Sequence, residues 1–534
     1  MNSSRVEFDT INLRLALGKK ALRFVSKILT LQDRNLLSPT YGCFDRNYWH
    51  YKIIDFPSGM AQEFSLVLAL SYSLDIPNNE YYKNESIKEW AIAGINFAKR
   101  TSHIDGSCDD YYPFEKAVGA TAFSLYAFAK SYNLLGIKNL AMEDFFVKRC
   151  SFLVNSNESG KLTNHHALIV NVIDLVSGIT GYTGWNDKRE NIIKKIISWQ
   201  DEEGWFWEYE GFDPGYHTLT ISLLAEIYSK KKCIRLEVAI QKAINLSFQF
   251  IHPDGSFGGE YGSRNTNIFF PLGFELFSKY NKNSTKINNL FISGLINNNI
   301  SVYDDDHTIG HHAWNYLLAW ESFNLDRNLD VPFNRDSFYL KNAGIGIFRG
   351  NNYELYVAYN KGGTYKYFRN NELAMSDTGI TLELTNGKIL VCNLIDSYET
   401  IISNNSIHIS GSMGFAKHQK MTIIKMIVLR IIMSSFGRLF PNQIRKILQK
   451  ILITGKKNSD INFEREIKIK NESIIINDKI NLKDINKVKS VFILSNQTSI
   501  YNVMSNIYNK SQLFPPIKIK KDKDLNIIRY TREV

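Results

Sequence analysis

Two short stretches carry side chains that could do chemistry. "KLTNHHALIV" puts Asn164, His165 and His166 side by side where an apolar helical run begins, and "DEEGWFWEYEGFDPGYHTL" puts Tyr216 and His217 at the start of the next such run. Histidine and tyrosine can hold or move a proton, and an asparagine amide can direct a hydrogen bond at developing charge. The same residues also make an ordinary polar helix start, with Asn164 capping and His165 or Tyr216 packing. Two further clusters have ligand-type chemistry. "DDDHTIGHH" brings Asp304, Asp305, Asp306, His307, His311 and His312 together, with a histidine spacing that suits a metal, although capping aspartates at a helix start account for most of it. "CDDYYPFEK" offers Asp109, Asp110 and Glu115 as the carboxylate pair of a glycoside hydrolase. No Walker P-loop, G-x-G-x-x-G or G-x-S-x-G is present. Neither a metal nor a cofactor is expected.

These residues sit in a repeat. Glycine-marked turns at Gly59, Gly106, Gly160, Gly204, Gly255 and Gly310 each open into a helical run that is apolar nearly all round, such as "EKAVGATAFSLYAFAKSY" and "IFFPLGFELFSKY". Between them lie amphipathic segments such as "ESIKEWAIAGINFAKR" and "DKRENIIKKIISWQ". Alternating inner and outer helices with a period of about 50 residues predict an α/α toroid of about six helix pairs over 41–334, after an N-terminal basic helical segment over 1–40. The turns should gather at one rim and line a cleft for an extended ligand. Trp49, Tyr111, Tyr112, Trp205, Trp207, Tyr209 and Tyr261 lie in or near them, where flat rings could stack on sugar faces or wedge helix pairs apart.

After residue 335 the period changes to two. "NYELYVAYN", "GITLELTNGKILVCNL", "EREIKIKNESIIIND" and "NIIRYTREV" predict an antiparallel β-sandwich over 335–534. The fold class is therefore α+β multidomain. Residues 416–457 interrupt the sandwich with ten Lys or Arg and no Asp or Glu, which accounts for nearly all of the net charge of +11. One or two helices broken near "FGRLFPN" are expected there, either as a peripheral contact with a membrane surface or as a helical insertion covering the sandwich, its lysines reaching to water. Nucleic acid is not an expected partner. Five scattered cysteines with no C-x-x-C pair give no disulfide framework, and no stretch reads as an export signal or membrane span. A cytoplasmic setting is expected, with possible attachment at the inner membrane face.

The order of these features resembles the heparinase II/III family of polysaccharide lyases: a helical toroid with Asn-His at one inner helix start and Tyr-His at the next, then a β-sandwich. The resemblance covers roughly residues 40 to 500. It implies action on a uronate-containing, acidic polysaccharide, by removal of the C5 proton followed by β-elimination or epimerisation, in making or modifying a surface polysaccharide. It also implies roles. Asn164 and His165 would neutralise the uronate carboxylate, and Tyr216 would act as base and acid in a syn elimination. Tyrosine's reference pKa is about 10, so cationic neighbours are wanted; His217, His166 and Arg264 are the candidates. Trp205, Trp207, Tyr261 and Arg369 would contact substrate. One departure is plain: "RNNELAMSDTGITLEL" keeps Asp377 where the family carries His-x-His-x-Asp, and no histidine lies between His312 and His408. Two other readings stay open, a toroidal glycoside hydrolase using Asp109 and Glu115, and a non-catalytic glycan-binding scaffold.

Overall fold

The computed structural model describes residues 9–156, 160–208, 210–300, 302, 304–329, 334–416, 421–449, 455–470, 472–494, 515–521 and 526–534. Thirteen helices come first among these: α1 (Thr10–Leu31), α2 (Arg46–Trp49), α3 (Phe64–Ser73), α4 (Glu85–Thr101), α5 (Val118–Leu134), α6 (Leu140–Asn155), α7 (Thr163–Thr180), α8 (Asn186–Ser198), α9 (Pro214–Lys230), α10 (Ile234–Phe250), α11 (Leu272–Leu276), α12 (Lys282–Ile296) and α13 (Ile309–Glu321). The expected apolar runs become α3, α5, α7, α9, α11 and α13. Each packs on the next, and α13 packs back on α3, so six inner helices close a ring.

Burial follows the sequence pattern. In α5 and α9 nearly every residue is buried, as a helix packed on all sides requires, whereas α4 and α8 bury one stripe each and turn their charges outward. The inner helix expected from "IFFPLGFELFSKY" is short. Pro271 sits at its N-cap, so Ile268–Phe270 run ahead of it outside the helix and only Leu272–Leu276 wind. Two of the turns need glycine. Gly106 has φ +83° against the backbone of Arg149, and at Gly255, with φ +85°, a Cβ would stand 2.4 Å from the carbonyl oxygen of Leu290.

The boundary expected at residue 40 is not a domain boundary. Helix α1 packs on α13, α12 and α3, and buries Leu13, Leu17, Phe24, Val25 and Ile28 there. It is the sixth outer helix, which a sequence-local reading separates because its partners lie some 300 residues away.

Fourteen strands follow among the described residues. The first five, β1 (Phe338–Leu340), β2 (Ile345–Arg349), β3 (Tyr353–Ala358), β4 (Thr364–Arg369) and β5 (Glu372–Asp377), form an antiparallel meander. The others are β6 (Gly379–Leu384), β7 (Ile389–Val391), β8 (Glu399–Ser403), β9 (Ser406–Phe415), β10 (Asn458–Lys470), β11 (Ser473–Asn481), β12 (Val488–Leu494), β13 (Ile517–Lys518) and β14 (Ile527–Glu533), and they make the second antiparallel sheet. The meander is buried on both faces. Leu340, Ile345, Ile347, Tyr356 and Phe368 join the toroid core, while Phe348, Leu355, Val357, Tyr365 and Tyr367 join the core shared with the second sheet. The result is three layers: helical ring, meander, second sheet.

A buried charge network ties the last two layers. Arg465 on β10 donates from Nε and Nη2 to the two carboxylate oxygens of Asp478 on β11 at 2.7 and 3.1 Å, and from Nη1 to Asp377 at the end of β5 at 3.1 Å. Arg532 on β14 completes it, donating to Asp478 at 2.7 Å and to Asp377. Two cations meet two anions out of water, so removing one member strands the rest. Arg465→Met is therefore expected to lower the unfolding free energy by about 3–5 kcal/mol in a urea titration, and a loss below about 1 kcal/mol would contradict the assignment.

Candidate active site at the toroid rim

The site grows from the turn "WFWEYEG". Glu208 makes isolated antiparallel bridges with Leu162 and Gly211, which lays the turn across the start of α7. Helix α7 has no side-chain cap of its own. Its first turn is held from outside: Glu208 Oε1 accepts from the Asn164 backbone N–H at 3.0 Å, Oε2 accepts from Asn164 Nδ2 at 2.8 Å, and Thr163 Oγ1 donates to the Trp207 carbonyl at 2.7 Å. A carboxyl group at a helix N-terminus can accept from its otherwise unpartnered N–H groups. Glu208 also accepts from Thr220 Oγ1 on α9 at 3.2 Å, so one side chain fastens the starts of two adjacent inner helices. It is fully buried, and burial pushes its carboxyl up to about 8 although Asn164, Thr220 and the nearby His165 pull it down.

Helix α9 has its own anchor. Asp213 caps it, accepting from the Tyr216 backbone N–H through Oδ1 at 3.1 Å. Through Oδ2 the same carboxylate accepts from the Arg264 backbone N–H at 2.9 Å, and Thr266 Oγ1 donates to Oδ1. One buried aspartate thus brings Tyr216 and Arg264 together from different repeats. Tyr216 lies four residues before Thr220, so it occupies the same face of α9 one turn nearer the rim.

The loop that carries Arg264 is held in turn by the meander. Lys361 donates to the carbonyls of Glu260 and Gly262 at 2.7 and 2.6 Å and to the Asn265 side chain. Lys366 donates to Asn267 Oδ1 at 2.8 Å. Burial pulls the Lys361 ammonium down to about 8, against the nearby Asp213 and Glu260 carboxylates.

His165, near Glu208 on one side, touches α5 on the other. A Cβ added to Gly119 would stand 2.8 Å from its Cε1, and its ring meets Phe123 edge-on at 6.2 Å. Phe123 stacks on His311 at 4.3 Å, and His311 Nδ1 lies 2.6 Å from Glu63. His165, Tyr216, Arg264 and Trp207 are half-buried, and these are the expected site residues of the toroid that are not closed off in its interior.

Other expectations are corrected. Asn164 is 2% exposed and its Nδ2 is engaged by Glu208, so it positions α7 rather than facing substrate. His166 turns outward: Nδ1 meets the Leu162 carbonyl at 3.0 Å, Nε2 meets Lys195 at 3.2 Å, and the ring lies edge-on to Trp199. His217 is fully buried beside Phe206 and Phe212 with Nε2 on the Ala243 carbonyl, and burial lowers it to about 4, so it is a neutral packing residue. Trp205 is buried with its indole N–H on Glu203, and Tyr261 is buried with its hydroxyl 2.8 Å from His252 and its ring stacked on Tyr356. Neither ring can stack on a sugar. Arg369 is exposed at the end of β4 beside Asn370 and Asn371, away from the Thr364 and Lys366 end that meets the toroid. Tyr209 lies outside the described residues.

The acidic clusters are spent on the fold. Asp109 meets His103 Nε2 at 2.8 Å and accepts from Phe114 N, Asp110 accepts from Ser58 and sits 3.0 Å from His307, and Glu115 accepts from Asp110 N and Tyr111 N. Burial pulls His307 down, but the Asp110 carboxylate carries it up to about 9. Asp304 and Asp306 pair with Lys27, Asp305 receives the backbone N–H groups of His307 and Ile309, and His312 is buried on Phe270. No group of three or more His, Cys, Asp or Glu among the described residues could hold a metal. Asp377 belongs to the arginine network, and His408 lies on the β9 face opposite the buried Ile407 and Ile409.

No protein-family model matches the chain, and no curated protein matches it in sequence. Solved polysaccharide lyases are similar to it in structure. Heparan sulfate lyase HepC from Pedobacter heparinus is 10% identical over 92% of this chain and 72% of its own, with a TM-score of 0.38. A mutant chondroitin AC lyase of Streptomyces coelicolor A3 is 8% identical over 92% and 69%, with a TM-score of 0.47. Heparinase III is 10% identical over 96% and 88%, with a TM-score of 0.45.

Glu208 is the functional-site residue that sequence reasoning missed. Its signal was present as an acid within an otherwise aromatic turn. Because its folded pKa is raised from 4.5 to about 8, its contribution to stability is fully present below pH 4.5 and is lost as pH rises through about 8. Glu208→Gln keeps an acceptor for the Asn164 N–H and removes the titration. Melting temperatures measured across that window should fall less steeply with pH in the variant, and parallel curves would refute the assignment.

Proposed function

We propose that the chain is a lyase acting on an acidic, uronate-containing polysaccharide, with the half-buried trio His165, Tyr216 and Arg264 as its working groups. The observation that carries this reading is the shared carboxylate of Asp213, which fixes the Tyr216 and Arg264 backbones on its two oxygens. A base and a permanent cation then stand at one rim, with His165 supplied by the neighbouring helix.

In this reading the Tyr216 phenolate oxygen takes the C5 proton. The electron pair passes into the uronate carboxylate, where His165 and Arg264 meet the developing charge. The pair then returns to form the C4–C5 double bond as the C4–O bond breaks, and the Tyr216 hydroxyl gives its proton to the departing oxygen. Return of a proton to the opposite face of C5 would give the epimer instead. Asn164 and Glu208 act through the first turn of α7, which they hold in place under His165.

A second reading, a glycan-binding protein without turnover, is favoured by the engagement of Asn164 with Glu208 and by the buried arginine network around Asp377. The hydrolase reading has no such support, since Asp109, Asp110 and Glu115 are all committed to loop hydrogen bonds.

Incubation with a panel of uronate polysaccharides should raise the ultraviolet absorbance of unsaturated uronate. Tyr216→Phe should abolish the rise, and His165→Ala should slow it by about 10²–10³-fold, the usual cost of losing one charge-stabilising donor. Exchange of solvent deuterium into C5 without absorbance would mark an epimerase. If neither signal appears while the glycan binds, turnover is ruled out and the binding reading stands.

A further inference from the structure

The acid-free stretch folds into a surface whose burial is the reverse of what its composition calls for. Two helices and a π-helical turn are described there: α14 (Ile423–Ile432), Met433–Gly437 and α15 (Pro441–Gln449). Eight of the ten residues of α14 are apolar, the exceptions being Lys425 and Arg430, yet none of the ten is buried. Ile423 is 77% exposed, Ile431 62% and Leu439 72%. A helix apolar on all sides belongs in a protein core or in lipid, and exposed apolar patches of this extent mark interaction surfaces. The patch is not loose on the molecule. Arg430 pairs with Asp55 at 2.6 Å and lies over Phe56, and Arg438 lies over Phe114 at 5.2 Å. These contacts seat α14 and the turn after it on the loops that precede α3 and α5, with Ile423, Ile424 and Ile431 left outward.

Charge selects the occupant. From 416 to 457 every formal charge is positive. A second copy docked face to face would bring Lys425, Arg438 and Lys446 of one against the same cations of the other, with Asp55 already taken by Arg430, which opposes association. Nucleic acid would meet the cations but leave the isoleucines in water. An interface of acyl chains below anionic headgroups satisfies both. At ten residues α14 is about 15 Å long, half the span of a bilayer core, and among the described residues no helix is long and apolar enough to cross a membrane. We propose that α14 and α15 form a docking surface for an anionic lipid bilayer, lying in the headgroup region and turning the rim end of the toroid toward the membrane. This inference stands on the surface alone and is independent of the proposed reaction.

The test is sedimentation of the full chain with vesicles of phosphatidylcholine mixed with phosphatidylglycerol, against vesicles of phosphatidylcholine alone. Binding is expected to the mixed vesicles and to weaken with salt. I424D/I427D should weaken it by at least about tenfold, since each isoleucine buried in acyl chains contributes roughly that factor. K425E/K446E should remove the preference for the anionic vesicles. Both variants change exposed residues, and unchanged melting curves would show that the fold is kept. Failure of the unaltered chain to sediment with mixed vesicles would overturn the proposal, as would full binding by I424D/I427D. If velocity sedimentation without lipid shows a dimer that I424D/I427D dissolves, and vesicles do not bind, the surface joins two copies instead.

Discussion

One buried ammonium, that of Lys361, joins the sheet to the loop that orients the site. The loop 258–267 takes left-handed backbone at Gly258, Gly259 and Asn265, so its carbonyls cannot be satisfied by a regular ladder. Lys361 reaches from the meander and supplies the donors. Because that loop presents Arg264 and Thr266 to Asp213, and Asp213 caps α9, the orientation of Tyr216 depends on a contact made in another domain. The interface between ring and sheet is therefore part of the site, and Arg335 and Arg349 secure it further by binding the last carbonyls of α10.

Much of the fold was legible because periodicity is a local signal. The six inner helices and the strands from "NYELYVAYN" to "NIIRYTREV" fall where 3.6- and 2-residue periods put them. What the sequence concealed was long-range. Helix α1 closes the ring only through α12 and α13, and nothing near residue 20 announces that.

The site was legible in part, and the failures have a common cause. Neighbouring helical residues point about 100° apart, so His165 and His166 cannot share a cleft, nor can Tyr216 and His217. The structure turns the second member of each pair into packing, against Trp199 in one case and Phe206 in the other. Aromatic turns were equally ambiguous. Trp205 and Tyr261 serve the cores between repeats and between domains, whereas Trp207, two residues on, is half-buried with the Lys161 ammonium over its ring. Glu208 escaped notice because a lone acid beside tryptophans carries no motif, and its importance comes from the two helix starts it touches.

The arginine network has a bearing on how the chain is made. Asp377 finds Arg532 across 155 residues of sequence. At ordinary rates of translation, about 5–20 residues per second, that interval lasts on the order of ten seconds. Throughout it the nascent meander holds a carboxylate whose second cation has yet to be made. The helical ring, complete in sequence by Glu321, can assemble first, but the sheet that must steady its rim is finished last.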